Sequence, residues 1–465
     1  MLPLTGPRDY SHKSWPDQIM NASAYADERL PRYTSYPTAP QFQEMDGSLY
    51  AGWLNSLARG TPTSLYLHVP FCRSMCWYCG CHTTVALRDG PVIDYLATLR
   101  GEIALVAEAL SAPLDARHVH FGGGTPTILE PADFVALVAL LRQRFPIHSD
   151  AEIAVEIDPR RLEPPMTAAL AAAGVNRASL GVQSFDPVVQ KAINRIQSVE
   201  QTASVTTGLR NAGIAAVSFD LIYGLPKQTL QSCLDTVEQC LTMRPDRFSI
   251  FGYAHVPEFK KHQRRIATAD LPDGEARHEQ AELMARLLTE AGYVRIGLDH
   301  FALPDDPMAR ALSEGRLRRN FQGYTTDPCE ALIGFGASAI GKLPQGYIQN
   351  EVVIGRYAER IADGVLPTRR GYRLTPEDRL RAELIERMMC DLTVDIDAVC
   401  AQHAVDAQVL SLSRRKLELL AQEGLVAFDG SRVLLPENAR LLVRKVASVF
   451  DAHLDQQQRQ YSRAV

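Results

Sequence analysis

Leu65-Tyr-Leu-His-Val-Pro-Phe-Cys72-Arg-Ser-Met-Cys76-Trp-Tyr-Cys79-Gly-Cys81 is the stretch that decides how this chain is read. An apolar run suited to a buried strand ends at a proline, and four cysteines follow on the next loop. The chain has nine cysteines, an odd count, and residues 1–20 contain no apolar secretion signal. In such a chain a cysteine cluster reads as metal-binding before it reads as disulfide. Three thiolates at Cys-x3-Cys-x2-Cys spacing can wrap one corner of an iron–sulfur cubane. Clusters of that kind normally take four cysteines. With only three, one iron stays open, which marks a catalytic site and not a structural one. Zinc sites pair Cys-x2-4-Cys with a second, distant pair, and no such pair is obvious here.

Outward from this loop, β-branched and apolar runs predict strands over residues 64–68, 118–121, 152–157, 178–182, 217–221 and 248–251. Amphipathic patterns predict helices over 92–110, 131–144, 187–195, 200–212, 230–243 and 274–291. Strands alternating with helices give a parallel α/β sheet with right-handed crossovers. About six such units fit between residues 62 and 260, fewer than the eight of a closed barrel. A partial, open (β/α)6 parallel barrel is therefore expected. Parallel barrels carry their chemistry at the C-terminal ends of their strands, and the cysteine loop follows the first strand.

Three parts are expected: residues 1–55 packing on the catalytic domain, residues 56–365 as barrel and substrate-covering extension, and residues 366–465 as a small, mostly helical domain. In the last part, helices over 375–389 and 414–423, a hairpin over 424–436 turning at Asp429-Gly430, and a helix over 437–450 resemble a winged helix. It is read as a structural cover on the barrel, with DNA binding as the alternative. The polar tail, residues 455–463, is expected to fray.

Composition narrows the classes. The 465 residues are 46% hydrophobic and 22% charged, as in a globular protein. A net charge of −5 speaks against general nucleic-acid binding. No apolar run is long enough to span a membrane, so a cytoplasmic location is expected, and a monomer.

Further motifs, all but Ile193-Asn-Arg195, sit at or just after the predicted strands. Phe121-Gly-Gly-Gly-Thr-Pro-Thr127 lets backbone approach a ligand closely. Glu156, in Glu-Ile-Asp-Pro-Arg160, can accept a hydrogen bond from an ammonium or ribose. Gly181-Val-Gln-Ser-Phe185, Ile193-Asn-Arg195, Phe219-Asp-Leu-Ile-Tyr-Gly-Leu-Pro226 and Tyr253-Ala-His-Val-Pro257 complete the series.

The Cys-x3-Cys-x-Tyr-Cys pattern resembles the signature of radical S-adenosylmethionine enzymes. With the Cys-Gly-Cys ending, Pro31-Arg-Tyr-Thr-Ser-Tyr-Pro-Thr38 and Arg319-Asn-Phe-Gln-Gly-Tyr-Thr-Thr326, it is similar to their oxygen-independent coproporphyrinogen III oxidase branch. The resemblance runs from about residue 30 into the C-terminal part. It implies that Cys72, Cys76 and Cys79 hold a 4Fe–4S cluster. It implies that Tyr66, Gly123, Glu156 and Ile340 contact the cluster-bound S-adenosylmethionine. Tyr78, Gly124, Thr125, Gln183, Arg195, Asp220 and Ala254 would line a site for a second one. Tyr66, Cys81 and Glu156 are the candidate catalytic residues; Cys81 is not assigned as a cluster ligand.

The implied reaction converts two propionates of coproporphyrinogen III to vinyl groups. A 5′-deoxyadenosyl radical removes a hydrogen from the propionate β-carbon, and an electron and carbon dioxide are then lost. An electron donor and a final acceptor, both unidentified, are implied partners. The substrate's carboxylates call for cations, and arginine binds them bidentately. Arg32 and the run Arg316, Arg318, Arg319 are candidates; for the run, a solvated surface face is at least as good a reading. Two alternatives share the fold: a haem-binding chaperone, against which Cys81 and residues 319–326 speak, and another radical enzyme such as a methyltransferase or cyclase.

Overall fold

The computed structural model describes Tyr25 and residues 28–454; the tail over residues 455–463 lies outside them. All six expected strands form: β1 (Pro62–Val69), β2 (Asp115–Gly123), β3 (Ile147–Ile157), β4 (Arg177–Gln183), β5 (Ala216–Tyr223) and β6 (Arg247–Gly252). They pair in parallel in that order. A seventh parallel strand, β7 (Ala331–Phe335), adds to the free edge of β1. The barrel therefore has one more parallel strand than the periodicity predicts. Antiparallel strands extend both edges, giving thirteen strands in one open sheet among the described residues.

The strands read with period two. Val119, Phe121, Ile153, Val155, Leu180, Phe219 and Phe248 are buried in the main apolar core. Phe121, for example, packs 4.8 Å from Phe134 of the helix Pro131–Arg144. The alternate residues are polar. His118, His120, Glu152, Glu156, Arg177, Ser179, Asp220 and Arg247 line an interior cavity of about 210 Å³. The barrel is thus apolar toward its helices and charged within.

Local chemistry sets the helix starts. Asp186 and Ser198 accept from the backbone N–H of Val189 and Gln201. Thr229 and Ser232 form a capping box at the head of Leu230–Met243. The helix expected over 187–195 stops at Ala192, because Ile193 and Asn194 leave helical geometry, Asn194 with φ of 54°. The helix Pro164–Ala172, which has only a weak apolar stripe, also forms.

Strand Thr368–Arg373 pairs with Gly346–Asn350 in the main sheet, and Gln43–Glu44 pairs with it in turn. The sheet therefore takes in residues on both sides of the boundaries at 55 and 365. Beyond it come the helix Pro376–Asp391, a helix Ile396–Gln402, the helix Ser411–Gln422 and the expected hairpin, Ala427–Asp429 with Arg432–Leu434. The closing helix divides into a 3-10 turn, Glu437–Leu442, and Val443–Ser448. This unit shares one apolar core with the barrel. Arg444 Nε donates to the Pro31 carbonyl at 2.8 Å, and Tyr33 Oη to Asp451 at 3.1 Å, so it packs as a cover.

Candidate active site

The C-terminal ends of the strands open onto a cavity of about 650 Å³. Cys72, Cys76, Tyr78, Cys79, Cys81, Gly123, Gly124, Thr125, Glu156, Gln183, Arg195, Asp220 and Ala254 all line it. Tyr66 and Ile340 are not in that lining. Tyr66 lies beside Glu156, since a Cβ on Gly122 would meet both side chains, at 3.1 and 2.8 Å. Its hydroxyl is 2.9 Å from His68 Nδ1. Ile340 opens strand Ile340–Leu343. Its backbone lies against Gly334, the register partner of Tyr66.

All nine cysteines are free thiols. The cysteine loop is tied to the glycine loop by backbone: Gly124 N–H donates to the Val69 carbonyl at 2.9 Å and Thr125 N–H to that of Phe71 at 2.8 Å. Thr83 donates to Cys72 Sγ at 3.3 Å, and Thr125 Oγ1 lies 3.5 Å from it. Arg195 and Arg160 both donate to Cys76 Sγ, at 3.4 and 3.5 Å, while Asp158 bridges the two guanidiniums.

Charge is held unevenly. Burial pushes the Asp158 carboxyl up, but Arg195 and Arg160 outweigh it and hold it below its ordinary value. Burial also works against ionised Glu156. His120, at 3.1 Å, and the Gly123 N–H, also at 3.1 Å, bring it below the usual carboxylate range. Asp220 has the Ser179 hydroxyl at 2.9 Å and the Ser249 hydroxyl beside it, but burial outweighs them and lifts it to about 6. The Cys81 thiol lowers Cys79 to about 7 by hydrogen bonding, and is itself driven well up in return.

A second cavity, of about 400 Å³, adjoins the first. Arg32, Cys81, Phe251, Gly252 and Tyr253 line both. Of the candidate run, Arg319 lines the second, held by the carbonyls of Arg32 and Tyr33 at 3.1 and 3.3 Å and lying 4.3 Å over the Tyr324 ring. Arg316 and Arg318 do not join it. Arg316 pairs with Glu314 and Arg318 with Glu386, both largely exposed, as the surface reading had it. Arg277, Arg295 and Arg444 line the cavity instead. No motif marks these three; they come from separate segments.

These residues fit a cluster with S-adenosylmethionine. Three thiols that soft iron accepts share one loop, without disulfides. The glycine loop presses so close that a Cβ on Gly124 would lie 2.5 Å from the Phe71 carbonyl oxygen. Arg195 Nε is buried at the cavity wall without a partner.

The comparisons agree. Residues 66–240 match the Radical SAM superfamily and residues 374–442 the HemN C-terminal domain. An oxygen-independent coproporphyrinogen III oxidase of Bradyrhizobium diazoefficiens is 59% identical over 96% of this chain and 99% of its own. A coproporphyrinogen III oxidase (anaerobic 1) of Cereibacter sphaeroides is 44% identical over 94% and 96%. The structure of coproporphyrinogen III oxidase (HemN) from Escherichia coli superposes with a TM-score of 0.87 at 38% identity, over 91% of this chain and 98% of that one. The chain belongs to the oxygen-independent coproporphyrinogen III oxidase family of radical S-adenosylmethionine enzymes.

Proposed function

We propose that this chain decarboxylates two propionates of coproporphyrinogen III to vinyl groups without oxygen, giving protoporphyrinogen IX, with two S-adenosylmethionines per chain. The observation that carries this reading is the seam between the two cavities, where Cys81 and Arg32 face both the thiol loop and the arginine-lined chamber. When bound, the cluster and S-adenosylmethionine supply the one-electron chemistry that removes an unactivated hydrogen, which no side-chain base can do.

The protein's own work is positioning and exclusion of water. Cys72, Cys76 and Cys79 hold the cluster, and Arg160 and Arg195 offset thiolate charge at Cys76. Glu156, ionised by His120 and the Gly123 N–H, would accept from the ammonium or ribose of the first S-adenosylmethionine, with Tyr66, Gly123 and Ile340 around it. Tyr78, Gly124, Thr125, Gln183, Arg195, Asp220 and Ala254 hold the second. Arg319 takes a propionate: its Nη1 is buried without a partner while its other nitrogens are anchored. Cys81 meets the substrate at the seam.

The C-terminal part acts as a cover and not as a DNA reader, since Leu441 and Arg444 close the substrate cavity. Among the described residues no helix is long and apolar enough to cross a membrane, and we assign the chain to the cytoplasm, as a monomer with separate electron donor and acceptor.

The test is anaerobic turnover with reconstituted protein, S-adenosylmethionine, a reductant and coproporphyrinogen III. Protoporphyrin with 5′-deoxyadenosine and carbon dioxide is expected. Intact coproporphyrin despite a full cluster and S-adenosylmethionine cleavage would mean another radical reaction. Stable haem binding without turnover would mean the chaperone.

A further inference from the structure

Lys260-Lys-His-Gln-Arg-Arg265 follows β6 and lies across the cysteine loop. Its side chains fasten that loop by its backbone. Lys260 Nζ donates to the Cys81 carbonyl at 2.9 Å, His262 Nε2 to that of Cys79 at 2.7 Å, and buried Gln263 to that of Tyr78 at 3.0 Å. The Arg265 guanidinium lies 5.6 Å from the centre of the Trp77 ring. Lys261, Arg264 and Arg265 are exposed, and Phe259 beside them is 62% exposed. Residues 256–266 carry four Lys and Arg side chains against one acid, Glu258, in a protein of net charge −5.

Two demands meet at this turn. The cluster needs an electron from outside, and here the half-buried His262 bonds directly to the backbone of a cluster cysteine. A local cationic patch on an otherwise anionic protein steers and orients an acidic partner. We propose that the Lys261–Arg265 turn docks an acidic one-electron carrier protein, which passes its electron inward by way of His262 and the Cys79 carbonyl. One electron leaves the reduced carrier and enters the oxidised cluster; no bond or proton changes hands. The inference rests on the cluster reading of the neighbouring thiols.

The probe is purified flavodoxin, an acidic flavoprotein. Its oxidised form is titrated calorimetrically into reconstituted protein at low and moderate salt. Reduced flavodoxin and reduced methyl viologen are then compared as sources of turnover. Binding should weaken with salt, and K261E/R264E should weaken it about tenfold or more. Flavodoxin-driven turnover should fall in step while turnover with methyl viologen stays at the wild-type rate. If charge reversal strips the cluster, K261Q/R264Q and the salt series on wild type give the same comparison. No saturable binding to wild type, or binding indifferent to these substitutions and to salt, overturns the proposal. So does an increased KM for coproporphyrinogen with unchanged flavodoxin affinity, which would make the patch a guide for substrate. Wild-type protein inert with methyl viologen would overturn the cluster reading, and the docking proposal with it.

Discussion

Adding one methyl group at Gly124 tests whether the glycine loop sets the position of the cysteine loop. A Cβ there would lie 2.5 Å from Phe71 O, 2.7 Å from Phe71 N and 2.6 Å from Thr83 Oγ1. Two of these are backbone atoms of the residue before Cys72, so no rotamer change relieves the contact. The backbone must move, and with it the Thr125 N–H to Phe71 carbonyl bond and the Thr83 hydroxyl on Cys72 Sγ. Overpacking of this kind costs about 1–3 kcal/mol of stability; if binding must restore the wild-type loop position, the same energy at about 1.4 kcal/mol per tenfold is a loss of roughly fivefold to a hundredfold in S-adenosylmethionine affinity. Gly124→Ala is titrated with S-adenosylmethionine after reconstitution, with iron content measured alongside. Gly52→Ala is the control: its Cβ meets nothing within 4 Å, in the helix Gly47–Asn55. That variant should bind normally and gain about 0.5–1 kcal/mol of stability. A Gly124→Ala protein that fills with iron and binds S-adenosylmethionine as wild type does would refute the argument.

Cys76→Ser should abolish the cluster, leaving Arg160 and Arg195 facing a hydroxyl; a full four-iron absorption spectrum in that variant would defeat the ligand assignment. Cys81→Ser should keep the cluster but damage turnover, and loss of its iron would mean that Cys81 is a ligand. Arg319→Lys keeps the charge but loses the fork. The weaker charged hydrogen bond, about 1.5–3 kcal/mol in such pairs, should raise KM for coproporphyrinogen about tenfold or more while S-adenosylmethionine affinity stays fixed, and the two are separated by steady-state kinetics and titration. Buried Glu102 accepts from Gly336 N–H, Asn350 and Tyr357, yet burial lifts it from 4.5 to about 7. Between those pH values the native state holds a proton that the unfolded chain has released, so stability falls as pH rises, by roughly 3 kcal/mol at most. Glu102→Gln should flatten that slope in denaturant midpoints taken from pH 5 to pH 8; an unchanged slope would assign it to other groups.

The cysteine loop was legible because its thiols are neighbours in sequence: spacing alone fixes which thiols share a loop, and the parallel α/β pattern fixes which end of the sheet holds it. Strand β7 was not, since Ala331-Leu-Ile-Gly-Phe335 is a short apolar run whose period is ambiguous, and its partner β1 lies far away in the chain. The arginine run shows a finer limit. In strand Arg318–Asn320 neighbouring side chains point to opposite faces, so Arg318 meets Glu386 while Arg319 turns into the cavity. Composition places a cationic run at 316–319 but not which member faces inward.

The remaining cations of that chamber explain why the cover belongs to the site. Arg32 comes from the N-terminal segment, Arg319 from the extension and Arg444 from the C-terminal part, and all line one cavity. Burial, aided by repulsion from Arg32 and Arg319, lowers Arg444 to about 9. Like charges brought together from distant parts of the chain cost stability unless anions answer them. Asp299 in the same lining answers part of that charge, and several carboxylates on one rigid ligand would answer further guanidiniums at once. The C-terminal unit turns Arg444 inward and ties it to the Pro31 carbonyl. The same contact fixes the segment carrying Arg32, so the cover and the N-terminal segment form one wall of the chamber, with Cys81 at the seam through which that chamber meets the thiol loop.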